Sequence, residues 1–253
     1  MTVLWLDGAL VPAADARIDP ADRGLLLGDG LFETMRVEAG APLRLEAHLR
    51  RLREGARLLG LPVPRTDEAL ADAVAAVVRA NGLADAAVRL TLTAGAGPRG
   101  LLRPDPCRPT LMLAAAPLPP PPGPARLVIA AVTRRNEHSP LSRVKSLNYL
   151  DGVLAREEAK ARGADDAVLL NTAGRVAEAT AANLFAVVDG TLVTPPLSDG
   201  VLPGTMRAEI IRTRGAVERS LDVADLRRAT EVFLTSALSI RQVLDVAAAD
   251  AKG

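Results

Sequence analysis

Apolar residues recur at helical spacing early in the chain: Leu45, Leu49, Leu52, Ala56 and Leu59, followed by Gly60. That pattern predicts a helix over residues 46–59 with one face on a core, ended by a glycine that can turn left-handed. Its polar face carries His48, Arg50, Arg51, Arg53 and Arg57. A second helix is predicted from Thr66 or Asp67 to Arg79, closed by Asn81-Gly82. A third is predicted over residues 148–162, packed through Leu150, Leu154 and Ala161 and stopped by Gly163, and a fourth over 206–212. Shorter apolar runs between turn residues predict strands. Residues 3–6 and 9–11 read as a hairpin about Asp7-Gly8, and 183–188 and 191–193 as another about Asp189-Gly190. Further strands are predicted over 32–38, 87–93, 110–115, 126–133, 166–170, 175–179 and 231–234. In 32–38, Phe32, Thr34 and Arg36 fall on one face and Glu33, Met35 and Val37 on the other.

Strands and helices alternate in both halves, without a regular β-α-β count. The fold class is therefore α+β, a mixed α/β architecture rather than a doubly wound parallel sheet. Between the halves lies a run of prolines at 117, 119–122 and 124 with Gly123, stiff and extended and unable to sit inside a helix or sheet. It divides the chain into a domain at 1–116, a linker at 117–124 and a domain at 125–253.

Composition narrows the function. Of the 253 residues, 49% are hydrophobic, enough for a sizeable core. A net charge of +1 gives no reason to expect nucleic acid or a membrane surface as partner. The single cysteine, Cys107, excludes an intramolecular disulfide and a Cys-cluster metal site. Two histidines, His48 and His138, leave little for zinc or for a Ser-His-Asp triad. The opening MTVLWLDGAL lacks the basic-then-apolar pattern of a signal peptide, and no apolar run reaches membrane-spanning length. The expectation is a soluble cytoplasmic protein without a metal.

The candidate chemistry centres on Lys145, in the stretch VKSLNYL. Beside Val144 and Leu147, such a lysine either snorkels to solvent or becomes a nucleophilic amine through burial. Its company is a carboxylate at Glu178, the arginines of the 46–59 helix, and Gly200-Val201-Leu202-Pro203-Gly204-Thr205 ahead of a helix, where open amides attract anions. The small polar turn Thr235-Ser236-Ala237 offers more donors, and Arg99 stands at the tip of a glycine-rich loop, either solvated or a carboxylate clamp. Gly28-Asp29-Gly30 lacks phosphate-loop spacing and reads as a tight turn. These are the parts that pyridoxal 5'-phosphate needs: a lysine for its aldehyde, a carboxylate for its ring nitrogen, and arginine with backbone amides for its phosphate.

Five blocks, in order, resemble the fold-type IV pyridoxal-phosphate enzymes, the class IV aminotransferases: GDGLFET from Gly28, HLRRL from His48, KSLNYL from Lys145, EATAANLF from Glu178, and GVLPG from Gly200. The resemblance implies a two-domain fold with the cofactor between the domains, in a homodimer. It implies that Lys145 is the Schiff-base lysine and proton shuttle, carried by the C-terminal domain, and that Glu178 pairs with the pyridine nitrogen. Arg51 would hold the phosphate, with the Val201 and Leu202 amides and the Ser236-Ala237 turn completing the cup, and Tyr149 would reach the phenolic oxygen. Phe32 and Arg99 would meet the substrate. The family includes branched-chain, D-amino-acid and R-amine transaminases and aminodeoxychorismate lyase. Leu101 stands where many D-type enzymes have histidine, and Phe32 where many have tyrosine. The expected activity is amino transfer between a small amino acid, D or branched-chain, and an α-keto acid. The alternatives are pyruvate elimination from 4-amino-4-deoxychorismate and, in another class, a non-catalytic pyridoxal-phosphate carrier.

Overall fold

The computed structural model describes residues 2–247. The chain falls into two compact units. One contains the residues up to Pro120 together with Val144–Asn148; the other contains Pro121–Arg143 and the chain from Tyr149 onward. Residues 248–253, the end of the expected second domain, lie outside the described residues.

The first unit holds β1 (Val3–Leu6), β2 (Ala9–Pro12), α1 (Arg23–Leu27), β3 (Gly30–Glu38), β4 (Ala41–Pro42), α2 (Leu45–Leu59), α3 (Asp67–Ala80), β5 (Ala86–Thr93) and β6 (Thr110–Pro117). The strands form one antiparallel sheet in the order β2-β1-β6-β5-β3-β4. Alternation along β5 sends Val88, Leu90 and Leu92 inward, all fully buried. α2 packs on β3 and α3 packs on β1 and β6. α3 buries Leu70, Val74 and Val77, spaced four and three apart, so one stripe of the helix faces the sheet. Each such side chain removed from water contributes about 2 kcal/mol. Thr66 caps the start of α3 through a bond from the Ala69 N–H, and Gly60 ends α2 at φ 65°. The short α1 begins on Asp22 and ends on Gly28, also left-handed at φ 66°.

The second unit holds β7 (Ala125–Ile129), α4 (Leu150–Ala161), β8 (Asp166–Leu170), β9 (Val176–Ala179), β10 (Asn183–Val188), β11 (Thr191–Thr194), α5 (Thr205–Arg214), β12 (Val217–Glu218), α6 (Val223–Arg228), β13 (Glu231–Thr235) and β14 (Ile240–Ala247). Its mixed eight-stranded sheet runs β12-β11-β10-β13-β14-β7-β8-β9. Phe185 on β10 and Phe233 on β13 stack with centroids 5.2 Å apart and, with Ile210, form the apolar seat of α5. β8 and β9 are buried along their whole length.

Two expectations need correction here. α4 does not pack through Leu150 and Leu154, which are 73% and 49% exposed; it packs through Ala155 and Ala159, both fully buried against Val128, Ala167 and Leu169. Small side chains let the helix lie close to the sheet, and the larger apolar stripe is left outward. Lys145, expected within the C-terminal domain, lies in the segment Val144–Asn148 that joins the first unit.

Candidate active site

In the first unit, Val144–Asn148 lies along the start of β3 as an added strand-like segment. The Phe32 N–H donates to the Lys145 carbonyl at 2.9 Å, the Leu147 N–H donates to the Gly30 carbonyl at 3.0 Å, and Leu31 bridges Ser146. These bonds bracket Ser146, and the first of them holds the backbone of Lys145 through its own carbonyl. Its Nζ sits 4.3 Å from the centroid of the Phe32 ring, where the π face favours a cation. The Arg89 guanidinium carbon is 3.7 Å from the same centroid. Asn148 Nδ2 ties the far end of the segment to the Gly28 carbonyl at 3.0 Å.

One residue beyond Phe32, alternation turns Glu33 to the buried side of β3. There it meets α2. Arg51 donates Nε to Glu33 Oε1 at 2.8 Å and Nη2 to Oε2 at 2.5 Å, and His48 Nδ1 lies 2.6 Å from Oε2. His48 and Arg51 are three apart on one helix face, which is why both reach one carboxylate. Burial alone would push the Glu33 carboxyl up; the Arg51 guanidinium, and after it His48, outweigh that and hold it below its usual range. The bidentate bond fixes the plane of the Arg51 guanidinium. Arg99, by contrast, is exposed on the loop after β5 and makes no hydrogen bond or ion pair within the described residues.

In the second unit, Glu178 on β9 is buried and oriented by three donors. Arg135 Nη2 lies 3.1 Å from Oε1, while Asn183 Nδ2 at 3.2 Å and the Leu202 N–H at 3.0 Å donate to Oε2. Asn183 also donates to the Leu202 carbonyl at 2.9 Å, and Arg135 Nε to the Gly200 carbonyl at 3.1 Å. The loop at 200–204 is thereby gripped by the same side chains that hold Glu178. Gly204 leaves room there: a Cβ would stand 1.9 Å from Asn183 Oδ1, so that side chain would have to shift. Val201 is fully buried. Tyr149, half-buried, stands at the N-cap of α4.

The groups expected to form the phosphate cup have these partners. The Leu202 amide is committed to Glu178. α5 begins at Thr205, one residue earlier than expected, and the amides of its first turn have no intrahelical acceptors. Ser236 Oγ accepts from the N–H groups of Leu238 and Ser239, both at 3.2 Å, so it shapes the β13–β14 turn. Its neighbour Thr235 is 1% exposed, and Thr235 Oγ1 has no hydrogen-bond partner among the described residues. Thr235 is the cross-strand partner of Asn183, the residue that holds Glu178. Sequence reasoning places Thr235 in a candidate donor turn but misses Glu33, His48, Arg135 and Asn183 as members of these clusters. Glu33, His48 and Asn183 sit inside the quoted sequence blocks, which is the available signal, and Arg135-Asn136 is a pair that resembles the lyases of the family. Among the described residues no group of His, Cys, Asp and Glu gathers as a metal set would, and no helix is long and apolar enough to cross a membrane.

Comparison with known proteins gives a consistent family. The model of the family described as amino-transferase class IV matches residues 30–247. A Methanocaldococcus jannaschii protein bearing a provisional branched-chain-amino-acid aminotransferase name is 38% identical over 240 residues, 92% of this chain and 83% of its own. A D-alanine aminotransferase of Staphylococcus epidermidis is 28% identical over 93% of this chain and 86% of its own. Among solved structures, the T.th. branched-chain amino acid aminotransferase with pyridoxamine 5'-phosphate superposes with a TM-score of 0.90 at 29% identity, covering 97% of this chain and 86% of the other. The 4-amino-4-deoxychorismate lyase of Pseudomonas aeruginosa superposes with a TM-score of 0.84 at 38% identity, covering 96% and 91%.

Proposed function

This chain belongs to the class IV aminotransferases, and on that premise we propose that it moves an amino group between a small amino acid, of D or branched-chain type, and an α-keto acid. It is an enzyme, and its family works with pyridoxal 5'-phosphate. The residues fit that group. An amine, a buried oriented carboxylate, a fixed guanidinium, a helix N-terminus and a buried hydroxyl lacking a partner are all present in Lys145, Glu178, Arg51, α5 and Thr235. When bound, the cofactor supplies an aldehyde that captures amines and a ring that spreads the electrons left behind when a proton departs.

The chain's own residues do the rest. Lys145 Nζ is the covalent anchor and then the group that takes and returns the substrate's α-proton. General-base action of this kind contributes roughly 100-fold to 10,000-fold, or about 3 to 5 kcal/mol of barrier. Glu178 carries the negative charge that keeps a ring nitrogen protonated; its three donors prevent it from turning away. Arg51 and the first-turn amides of α5 hold the phosphate. Tyr149 reaches the phenolic oxygen. Phe32 walls the lysine, and Arg99 takes the substrate carboxylate. The observation that carries this reading is Glu178, buried and held by Arg135, Asn183 and the Leu202 amide.

A second reading, pyruvate elimination from 4-amino-4-deoxychorismate, is favoured by the 38% identity to the Pseudomonas lyase. The enzyme is further proposed to act in the cytoplasm as a homodimer. Leu25, Leu26 and Leu27 on α1 and Leu150, Val153 and Leu154 on α4 are exposed apolar side chains suited to a partner copy. A parallel assay separates these readings. D-Alanine, L-leucine and R-phenylethylamine are mixed singly with the holoenzyme while the cofactor absorbance is followed, and aminodeoxychorismate is tested for pyruvate release. Bleaching with an amino acid and no pyruvate supports the transaminase; pyruvate release replaces it with the lyase; silence in every tube leaves a carrier. Sedimentation of the same sample as a monomer would overturn the dimer.

A further inference from the structure

The Gly28-Asp29-Gly30 block contributes more than a turn. Six residues before Asp29, at the start of α1, the buried Arg23 donates Nε to Asp29 Oδ2 at 2.9 Å. The rest of its guanidinium grips three successive carbonyls: Gly100 at 3.0 Å and Leu102 at 3.2 Å from Nη1, and Leu101 at 2.7 Å from Nη2. Asp29 is shared with Arg103, whose Nε and Nη2 reach its two oxygens at 2.9 and 2.5 Å, and whose Nη1 donates to the Leu59 carbonyl at the end of α2. The near side of the loop is held by backbone bonds, Arg23 N–H to the Gly95 carbonyl at 2.9 Å and Gly97 N–H to the Ala21 carbonyl at 3.2 Å. The loop is therefore fastened at residues 95, 97, 100, 101, 102 and 103. Only Pro98 and Arg99 are left at the apex. With their carbonyls turned onto Arg23, Leu101 and Leu102 carry their side chains outward, 83% and 87% exposed. Arg103, and after it Arg23, outweigh burial and hold the Asp29 carboxyl below its usual range, which keeps the hub charged.

We propose that Arg23 and Asp29 are positioning residues for substrate recognition: the guanidinium, neutralised by Asp29, holds the Arg99 turn in one conformation, and affinity for the substrate carboxylate depends on that hold. This rests on the reading of Arg99 as the carboxylate clamp. A planar guanidinium is needed, because one group must span three carbonyls and a carboxylate; a lysine ammonium is a point charge on a shorter reach. Neither residue touches the substrate in this scheme. Losing the hold should cost binding of carboxylates and leave the chemical step intact.

The test uses the holoenzymes of Arg23→Lys and, should that variant fold poorly, Asp29→Asn. Expected for either is a rise of about tenfold in KM for the amino-acid substrate, the size of one weakened charge-assisted hydrogen bond, with kcat changed less than about twofold. KM for R-phenylethylamine, which has no carboxylate, should not move. Independently of activity, trypsin should nick the Arg99–Gly100 bond about tenfold faster, as expected of a loop released from its fastenings; Arg103 precedes Pro104 and is not a competing cut. Unchanged nicking, or an equal rise in KM for amino acid and plain amine, overturns the positioning role. Arg99→Ala separates the two failures. If it raises the amino-acid KM while Arg23→Lys and Asp29→Asn do not, only the positioning role falls. If it leaves that KM unchanged while nicking still rises in Arg23→Lys, the clamp reading of Arg99 falls and takes the proposal with it.

Discussion

Glu33→Gln isolates the buried ionic cluster under β3. The substitution keeps shape and one acceptor but removes the charge that Arg51 and His48 share. Side-chain exposure of the pair is 9% for Arg51 and 1% for Glu33, so water can do little to screen what is left. Removing one partner of a buried ion pair typically costs about 3–5 kcal/mol; the amide oxygen retained by Gln puts the expectation near the lower end, at about 3 kcal/mol. The measurement is urea unfolding of the apoenzyme at pH 7 and matched protein concentration, followed by tryptophan fluorescence. Trp5 is the sole tryptophan and is buried in the same unit, so the signal reports that unit. The double variant Glu33→Gln/Arg51→Met removes both charges and should lose less than the sum of its parts, with about 1–3 kcal/mol of coupling. The pH dependence has a definite sign. Because the folded Glu33 pKa lies below its ordinary value of 4.5, its contribution is complete above about pH 4.5 and is lost as pH falls through the lower folded value. The wild type should therefore shed stability on acidification more steeply than the variant. A Glu33→Gln unfolding midpoint equal to wild type at pH 7, or identical acid limbs, would refute the argument that this carboxylate is charged and shares its load with Arg51.

Glu178→Gln is expected to retain cofactor, since Arg135, Asn183 and Leu202 still hold the side chain, but to slow the first proton transfer by about 100-fold or more; a stopped-flow half-reaction at the wild-type rate would remove its electronic role. Gly204→Ala drives a Cβ to within 1.9 Å of Asn183 Oδ1, so the side chain that donates to Glu178 and Leu202 has to shift. It should weaken cofactor affinity about tenfold in an absorbance titration while leaving Trp5 fluorescence in the other unit unchanged; undiminished affinity would show that the loop tolerates the shift.

Much of the architecture can be read from local pattern because local pattern causes it. The Asp7-Gly8 turn carries positive φ at both residues, 49° and 120°, as a two-residue hairpin requires. The leucine stripe of α2 faces the core, and Gly60 ends it as expected. Where the pattern misleads, a longer-range term decides. In α4 two apolar stripes compete, and the sheet selects the alanine stripe because close approach matters more than side-chain size. Periodicity gives no warning of α6: its capping box uses Asp222 and Asp225, a short acidic variant of the usual pattern, over only six residues. β14 alternates between half-buried and exposed positions, without the fully buried face that marks a strand. The site shows the same division. Lys145 and Glu178 stand in dense motifs, whereas the pairing of Glu33 with Arg51 depends on a strand and a helix meeting eighteen positions apart. The Leu202 amide meets a different acceptor from the one expected because backbone direction within a loop is set by the side chains that grip it, here Arg135 and Asn183.

The order in which Val144–Asn148 enters the fold bears on synthesis. Translation polymerises the first 120 residues before that segment, so the Gly30 carbonyl and the Phe32 N–H at the head of β3 gain these partners only after Pro121–Arg143 has been made. A fragment ending at Pro120 lacks these two backbone partners and the buried Val144 side chain, so a cut at the proline run leaves the head of β3 without its neighbour. Only a chain reaching Asn148 contains every residue of the first unit.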